Sequence, residues 1–129
     1  MITKHRPLLT HPNRKLRKPK KHPERDLQVE CVYWFRKTHK NQLIFSCPNE
    51  FARAEAAAAR KMGMLKGVSD IIVVMPDRVL FVEFKSLEGS QSLDQKRFQQ
   101  KLERMGYTYV IIRTLKQFKD VIENKEQIV

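Results

Sequence analysis

The sequence has few of the residues that mark disulfide-rich, zinc-binding or membrane-spanning proteins. Its only cysteines, Cys31 and Cys47, form no CxxC motif and have no Cys/His spacing typical of a zinc site. We therefore interpret both as free, buried thiols. No apolar run approaches the roughly 18 to 20 residues of a membrane-spanning helix, and the N-terminus lacks the apolar segment of a signal peptide. A soluble cytoplasmic protein with no membrane partner is the expectation.

Acidic residues are scarce beside basic ones, and the imbalance is concentrated at the N-terminus. The 129 residues include 26 Lys and Arg against 14 Asp and Glu, a formal net charge of +12. Residues 1–23 hold eight of the basic residues, four prolines and no acid. We predict a basic, extended or disordered arm over 1–23 and a single domain over 24–129.

The arm predicts a polyanionic partner, because Lys and Arg gain affinity by releasing counterions from phosphates. A solvated tail with no partner is the alternative. The residues of the arm that we expect to contact the phosphates of such a partner are Lys15, Arg17, Lys18, Lys20 and Lys21.

Hydrophobic periodicity predicts an α/β fold. Helices are expected over about 24–38, 51–62 and 92–105, with a last helix after Thr114. Strands are expected over 43–47, 71–75, 79–85 and 107–112, where β-branched and aromatic residues dominate. Since a strand reached through a crossover helix usually runs parallel to the preceding strand, the predicted sheet is mixed and flanked by helices.

The stretch over 67–85 carries charged residues inside apolar strands, and it reads GVSDIIVVMPDRVLFVEFK. Asp70 precedes the first strand, and Glu83 and Lys85 share one face of the second, because side chains alternate along a strand. A two-residue turn at 76–77 would place Asp70 opposite Glu83, and a four-residue turn at 76–79 would place it opposite Lys85. A three-residue turn without a bulge would put Asp70 on the wrong face.

Two carboxylates on one face suit a hard divalent cation such as Mg²⁺ or Mn²⁺. Lys85 beside them could orient an attacking water or stabilise negative charge on a phosphate. These are the requirements of phosphodiester hydrolysis. The alternative is an ordinary Glu-Lys pair on a half-exposed strand.

The order of these motifs resembles the VRR-NUC domain of the PD-(D/E)xK nuclease superfamily over about residues 24–113, with Ser69 in place of the family's proline. The matching segments are Glu30 on the first helix, Pro48-Asn49-Glu50 before an Ala-rich helix, Gly67 to Asp70, Glu83-Phe84-Lys85, and Ser92 to Gln95 followed by Phe98.

The resemblance implies an αβββαβ core and assigns roles to residues that periodicity leaves open. Glu30 would join Asp70 and Glu83 as a metal ligand, with help from the Phe84 carbonyl, although periodicity alone makes Glu30 an ordinary helix residue. Gln95 would contact a bound water or the scissile phosphate; a capping or surface glutamine is the alternative. The compact phage or bacterial members that this chain resembles are homodimers acting on branched DNA, including four-way (Holliday) junctions.

The sequence therefore predicts a Mg²⁺- or Mn²⁺-dependent, structure-selective DNA endonuclease that acts as a homodimer, since two sites related by a twofold axis can cut both strands of a symmetric junction. Phosphate contacts are also expected from Lys96, Arg97 and Lys101 on the helix after the ExK strand. A non-catalytic nucleic-acid-binding protein that retains the fold is the competing interpretation.

Overall fold

The computed structural model describes residues 21–48 and 53–124. The predicted arm lies almost wholly outside this part, as do Lys15, Arg17, Lys18 and Lys20 and the matched Asn49-Glu50 pair. The elements follow in the order α1 (Pro23–Thr38), β1 (Leu43–Ser46), α2 (Arg53–Lys61), β2 (Ile71–Val74), β3 (Val79–Phe84), α3 (Leu93–Arg104), β4 (Thr108–Ile112) and α4 (Leu115–Ile122).

The helices begin where capping chemistry allows. Pro23 occupies the first turn of α1, where its missing N–H costs nothing. The Ser92 side chain accepts a hydrogen bond from the Gln95 backbone N–H at 3.2 Å, and the Gln95 side chain accepts one from the Ser92 N–H at 2.8 Å. This reciprocal capping box fixes the start of α3. The Thr114 side chain caps α4 by accepting a hydrogen bond from the Gln117 N–H.

The sheet is mixed, as predicted, and its strand order is β1-β2-β3-β4. The pairs β1–β2 and β2–β3 are antiparallel, whereas α3 crosses over to bring β4 parallel to β3. Helices α1 and α4 pack over one face, around the buried side chains of Cys31, Phe35 and Phe118. On the other face, Phe98 of α3 packs against Phe81 and Tyr109. The fold class is thus confirmed, with α2 inserted between the first two strands of the αβββαβ core.

The turn between β2 and β3 has two residues, Pro76 and Asp77. Met75 and Arg78 flank it and exchange backbone hydrogen bonds of 2.9 and 3.4 Å. The Arg78 guanidinium also donates to the carbonyl oxygens of Val121 and Ile122, each at 2.7 Å, which ties the hairpin to the end of α4. The first of the three turn geometries considered from the sequence is therefore the one observed.

Both cysteines are free; Cys31 is buried and Cys47 is half-buried. Burial raises the pKa of the Cys31 thiol to about 12, so this thiol stays protonated at neutral pH. None of the helices in the described residues is long and apolar enough to cross a membrane.

Gly67 brings the loop before β2 into contact with the first turn of α3. Its φ is +84°, and a Cβ added there would clash with the Asp94 carbonyl and lie 2.8 Å from the Gln95 nitrogen. Gly63 has a φ of +105° but open space around it. Both positions therefore favour glycine for conformation, and only Gly67 also requires it for packing.

We expect Gly67→Ala to lower the free energy of unfolding by about 3 kcal/mol, because a positive φ and a backbone clash must both be accommodated. Gly63→Ala, the matched control, should cost only about 1 kcal/mol, from the positive φ alone. Urea titration followed by circular dichroism measures both. Equal losses in the two variants would contradict the close approach of the loop to α3.

Candidate active site

Asp70 and Glu83 meet at the end of the antiparallel hairpin. The pairing of Ile71 with Val82 places Asp70 opposite Glu83 one step further along the register. Asp70 Oδ2 accepts a hydrogen bond of 2.7 Å from the Phe84 backbone N–H. Glu83 is only 2% exposed. A two-residue turn thus brings together two carboxyl groups that are 13 positions apart in the sequence.

Lys85 lies on the same side of β3 as Glu83. Its Nζ is 3.7 Å from Glu83 Oε1, and both side chains are buried. This distance is longer than the 2.7–2.9 Å of a tight charge-assisted hydrogen bond, so the ammonium group keeps donors for another partner. The Glu83-Lys85 pair is therefore a buried feature of the fold, unlike the surface pair considered as the alternative.

Burial dominates the electrostatics of the carboxyl pair. It raises the pKa of Glu83, and the neighbouring Asp70 charge raises it further, while Lys85 opposes the shift. The pKa of Asp70 is also raised by burial, against the hydrogen bond from Phe84. Since the Asp70 charge disfavours ionisation of Glu83, the pair favours holding one proton. Such a pair is strained when both members are ionised, and a cation would relieve the repulsion.

Gln95 reaches the pair from the first turn of α3. Its Nε2 donates to Glu83 Oε1 at 2.8 Å, while its Oε1 accepts from the Ser92 backbone N–H. The capping alternative for Gln95 is thus observed, and its contact with a bound water or the scissile phosphate stays a prediction. The second N–H of its amide is the group left to meet a ligand.

The acidic residue of α1 that lies beside the pair is Glu24. Its charge acts on Asp70, and its Oε1 accepts a hydrogen bond of 3.3 Å from the Ser86 N–H, directly after Lys85. Glu30, which the resemblance implied as a ligand, is exposed on α1, and its charge acts on the Cys31 thiol. The sequence held a signal for Glu24. Continuing the apolar stripe of Leu27 and Cys31 back by one turn reaches position 24.

The loop after Lys85 is held at its other end by Arg113. The Arg113 guanidinium donates to the carbonyl oxygens of Ser86 and Gly89, the latter at 2.7 Å. With Glu24 bound to the Ser86 N–H, the loop is fixed from both α1 and β4. Arg113 was not singled out from the sequence, because an arginine at a strand end has no distinctive pattern.

A cleft of about 550 Å³ opens beside Asp70 and is lined by charges of both signs. Its walls come from the first turns of α1 and are formed by Lys21, His22, Pro23, Glu24, Arg25 and Gln28. Of the residues expected to contact DNA, Lys21 lines this cleft, while Lys96, Arg97 and Lys101 are exposed on α3. Arg97 is also 3.9 Å from Asp94 in a surface ion pair.

The donor set suits a hard divalent cation. Mg²⁺ is commonly bound through one or two carboxylates, with water and substrate phosphates completing its shell. Asp70 and Glu83 supply two such carboxylates, already adjacent. Within 21–48 and 53–124, no group of three or more His, Cys, Asp or Glu side chains is arranged to hold a metal. The ligand role predicted for Glu30, Asp70, Glu83 and the Phe84 carbonyl stays a prediction.

Comparisons with known proteins agree with this geometry. The sequence model described as "VRR-NUC domain" matches residues 12–114, most of the chain. One solved structure, "VRR_NUC domain protein", is 22% identical, with a TM-score of 0.63 over 81% of this chain and 88% of that one. Another, "VRR_NUC domain", is 18% identical, with a TM-score of 0.60 over 82% of this chain and 100% of that one.

At these identities, the solved structures show a shared fold. Among curated proteins, none matches the chain. The family match carries the assignment, since it covers well over half of the sequence and includes the Asp70, Glu83 and Lys85 positions. The resemblance noted from the motifs is confirmed: the chain belongs to the VRR-NUC domain family of nucleases.

Proposed function

We propose that this VRR-NUC protein is a Mg²⁺- or Mn²⁺-dependent endonuclease that hydrolyses branched DNA as a homodimer. The observation that carries the proposal is the meeting of Asp70, Glu83 and Lys85 at one end of the sheet. A buried carboxyl group beside a half-buried one, together with a buried ammonium group, is costly to the fold unless these groups serve a ligand. The formal net charge of +12 and the exposed Lys96, Arg97 and Lys101 of α3 support a phosphate-bearing substrate.

Asp70 and Glu83 would hold the cation, with Glu24 of α1 as the adjacent third acid. When bound, such a cation supplies positive charge opposite the phosphate and makes a coordinated water more acidic. The Phe84 N–H keeps the Asp70 carboxylate oriented, since it occupies Oδ2. Oxygen Oδ1 of Asp70 then remains the better placed donor for a cation.

Lys85 and Gln95 would act on the substrate. The Lys85 ammonium has three N–H donors and sits 3.7 Å from Glu83, so it can donate to a phosphate oxygen or orient the attacking water. The free N–H of the Gln95 amide can donate to the same phosphate. Exposed Lys96, Arg97 and Lys101 would contact phosphates further along the DNA.

Branched substrates and dimerisation follow from the family resemblance and from shape readout. Phosphate contacts position a protein without reading sequence, and no base-reading motif stands out in the chain. One site cuts one strand, so symmetric cleavage of a junction needs two copies.

We expect Asp70→Asn and Lys85→Met to lower the rate of junction cleavage at least about 10²-fold, because each removes a charged group from the reacting site. Gel assays with four-way, flap and linear DNA in Mg²⁺, Mn²⁺ or EDTA measure the rates. DNA affinity should change little, as neither side chain dominates the basic surface. Lys116→Met is the matched control. Lys116 is an exposed residue of α4, and this variant should cut at the wild-type rate.

Salt-sensitive binding without cation-dependent cleavage by the wild type would favour the non-catalytic alternative. Site variants that cut at the wild-type rate would also contradict the proposed roles. Either result would leave the fold assignment intact, since that rests on the family match and the sheet topology.

The raised pKa of Glu83 predicts that the metal-free protein loses stability as the pH rises. A carboxyl group whose pKa is higher in the folded state than in the unfolded state stays protonated up to a higher pH in the folded protein. Its contribution to stability is complete below the unfolded pKa of about 4.3 and is lost as pH rises through the folded value. Glu83→Gln should therefore raise the melting temperature of metal-free protein at pH 8 by about 3 °C or more.

This stabilisation should shrink toward pH 5, where Glu83 of the wild type keeps its proton. Adding Mg²⁺ at pH 8 should stabilise the wild type more than Glu83→Gln, since the variant has lost one of the two proposed carboxylate ligands. Differential scanning calorimetry with EDTA or Mg²⁺ measures both effects. A Glu83→Gln variant that is less stable than the wild type in EDTA at pH 8 would show that the ionised Glu83 carboxylate does not destabilise the fold.

Homodimerisation predicts a solution mass of two 15.3 kDa chains. Size-exclusion chromatography with light scattering measures it at the protein concentration used for cleavage. A strict monomer there would contradict concerted cutting of a junction while leaving single-strand nicking possible.

A further inference from the structure

Tyr109 of β4 reaches the second oxygen of the Glu83 carboxylate. Its hydroxyl oxygen is 3.5 Å from Glu83 Oε2, and the residue is only 7% exposed. The parallel pairing of β3 with β4 sets Phe81 beside Tyr109, so the tyrosine projects from the same face as Glu83. Phe98 of α3 packs edge-on against its ring at 6.2 Å and holds the ring in place.

A chain of hydrogen bonds fixes the direction in which the Tyr109 hydroxyl points. At the surface, Gln99 Nε2 donates to Glu103 Oε1 at 2.8 Å. An ionised carboxylate only accepts, so the Gln99 oxygen must face inward, and it accepts from Gln91 Nε2 at 2.9 Å. The same Gln91 nitrogen is 3.3 Å from the Tyr109 oxygen. The amide thus donates to Tyr109, and the tyrosine proton is left to point to Glu83.

The other oxygen of Glu83 is held by a second amide. Gln95 Nε2 donates to Oε1 at 2.8 Å, and the capping bond from the Ser92 N–H fixes which end of the Gln95 amide faces the site. Each carboxylate oxygen of Glu83 therefore has one neutral donor whose orientation is set elsewhere in the fold. Such a carboxylate cannot rotate freely about its terminal bond.

We infer that Tyr109 is a positioning residue, which holds the Glu83 carboxylate in the orientation that binds the divalent cation. The inference rests on the proposed function, because it takes Glu83 as a ligand. Tyr109 itself touches neither cation nor substrate. It acts through its hydroxyl, and the bonds through Gln91, Gln99 and Glu103 direct that hydroxyl inward. Groups that orient metal ligands in this way typically contribute about 10- to 100-fold to metal affinity.

The test is Tyr109→Phe, which keeps the packed ring and removes only the hydroxyl. Mn²⁺ binding to the full-length protein without DNA, followed by electron paramagnetic resonance, is expected to weaken about 10-fold. The Mg²⁺ concentration for half-maximal cleavage should rise by a similar factor, with the maximal rate at saturating Mg²⁺ much less affected. Tyr33→Phe removes an exposed hydroxyl on α1 and should leave both quantities unchanged.

The outcomes separate the two proposals. Wild-type protein that binds Mn²⁺, together with a Tyr109→Phe variant of equal affinity, overturns the positioning role and leaves the proposed function standing. Wild-type protein that binds no Mn²⁺ and cuts no DNA overturns the proposed function, and the positioning role with it. Melting temperatures in EDTA check folding. A variant as stable as wild type but weaker in Mn²⁺ binding supports the inference.

Discussion

The constraint on which the site depends is the opposition of two carboxyl groups, Asp70 and Glu83, across one antiparallel pair. A one-residue change in the register would move Asp70 to the other face of the sheet. The register is set by the two-residue turn between Met75 and Arg78 and is reinforced by the Arg78 bonds to α4. A turn far from the chemistry therefore determines whether the two carboxyl groups meet.

The surrounding elements close around this pair from three directions. Gly67 lets the loop before Asp70 lie against the first turn of α3, which carries Gln95. Glu24 and Arg113 fix the loop that follows Lys85. Because all these supports are backbone contacts or half-buried side chains of the fold, the site is assembled by folding itself. This is the arrangement expected where a catalytic geometry has to be rigid.

Much of the fold and part of the site could be predicted from the sequence, because the signals lie in short stretches of the chain. Strand alternation placed Glu83 and Lys85 on one face, and the caps at Ser92 and Thr114 marked two helix starts. The acidic residue of α1 that lies beside the carboxyl pair was harder to predict. Glu24 and Glu30 both lie on α1. The apolar stripe of the helix continues to position 24, but the approach of that position to Asp70 depends on how the helix docks against the sheet, which is a tertiary property. The Tyr109 contact likewise depends on which strand lies beside β3, so no local pattern carries it.

The donors around Glu83 also explain how a carboxylate can be held in place and still be available to bind the proposed cation. Gln95 and Tyr109 are neutral, so they orient both oxygens and leave the negative charge uncompensated. An arginine in either place would bind the carboxylate tightly and compete with a cation for the same oxygens. The Lys85 ammonium nitrogen lies 3.7 Å from Glu83 Oε1 and counters the carboxylate charge only in part. The repulsion that remains in the carboxyl pair would favour binding of the proposed divalent cation.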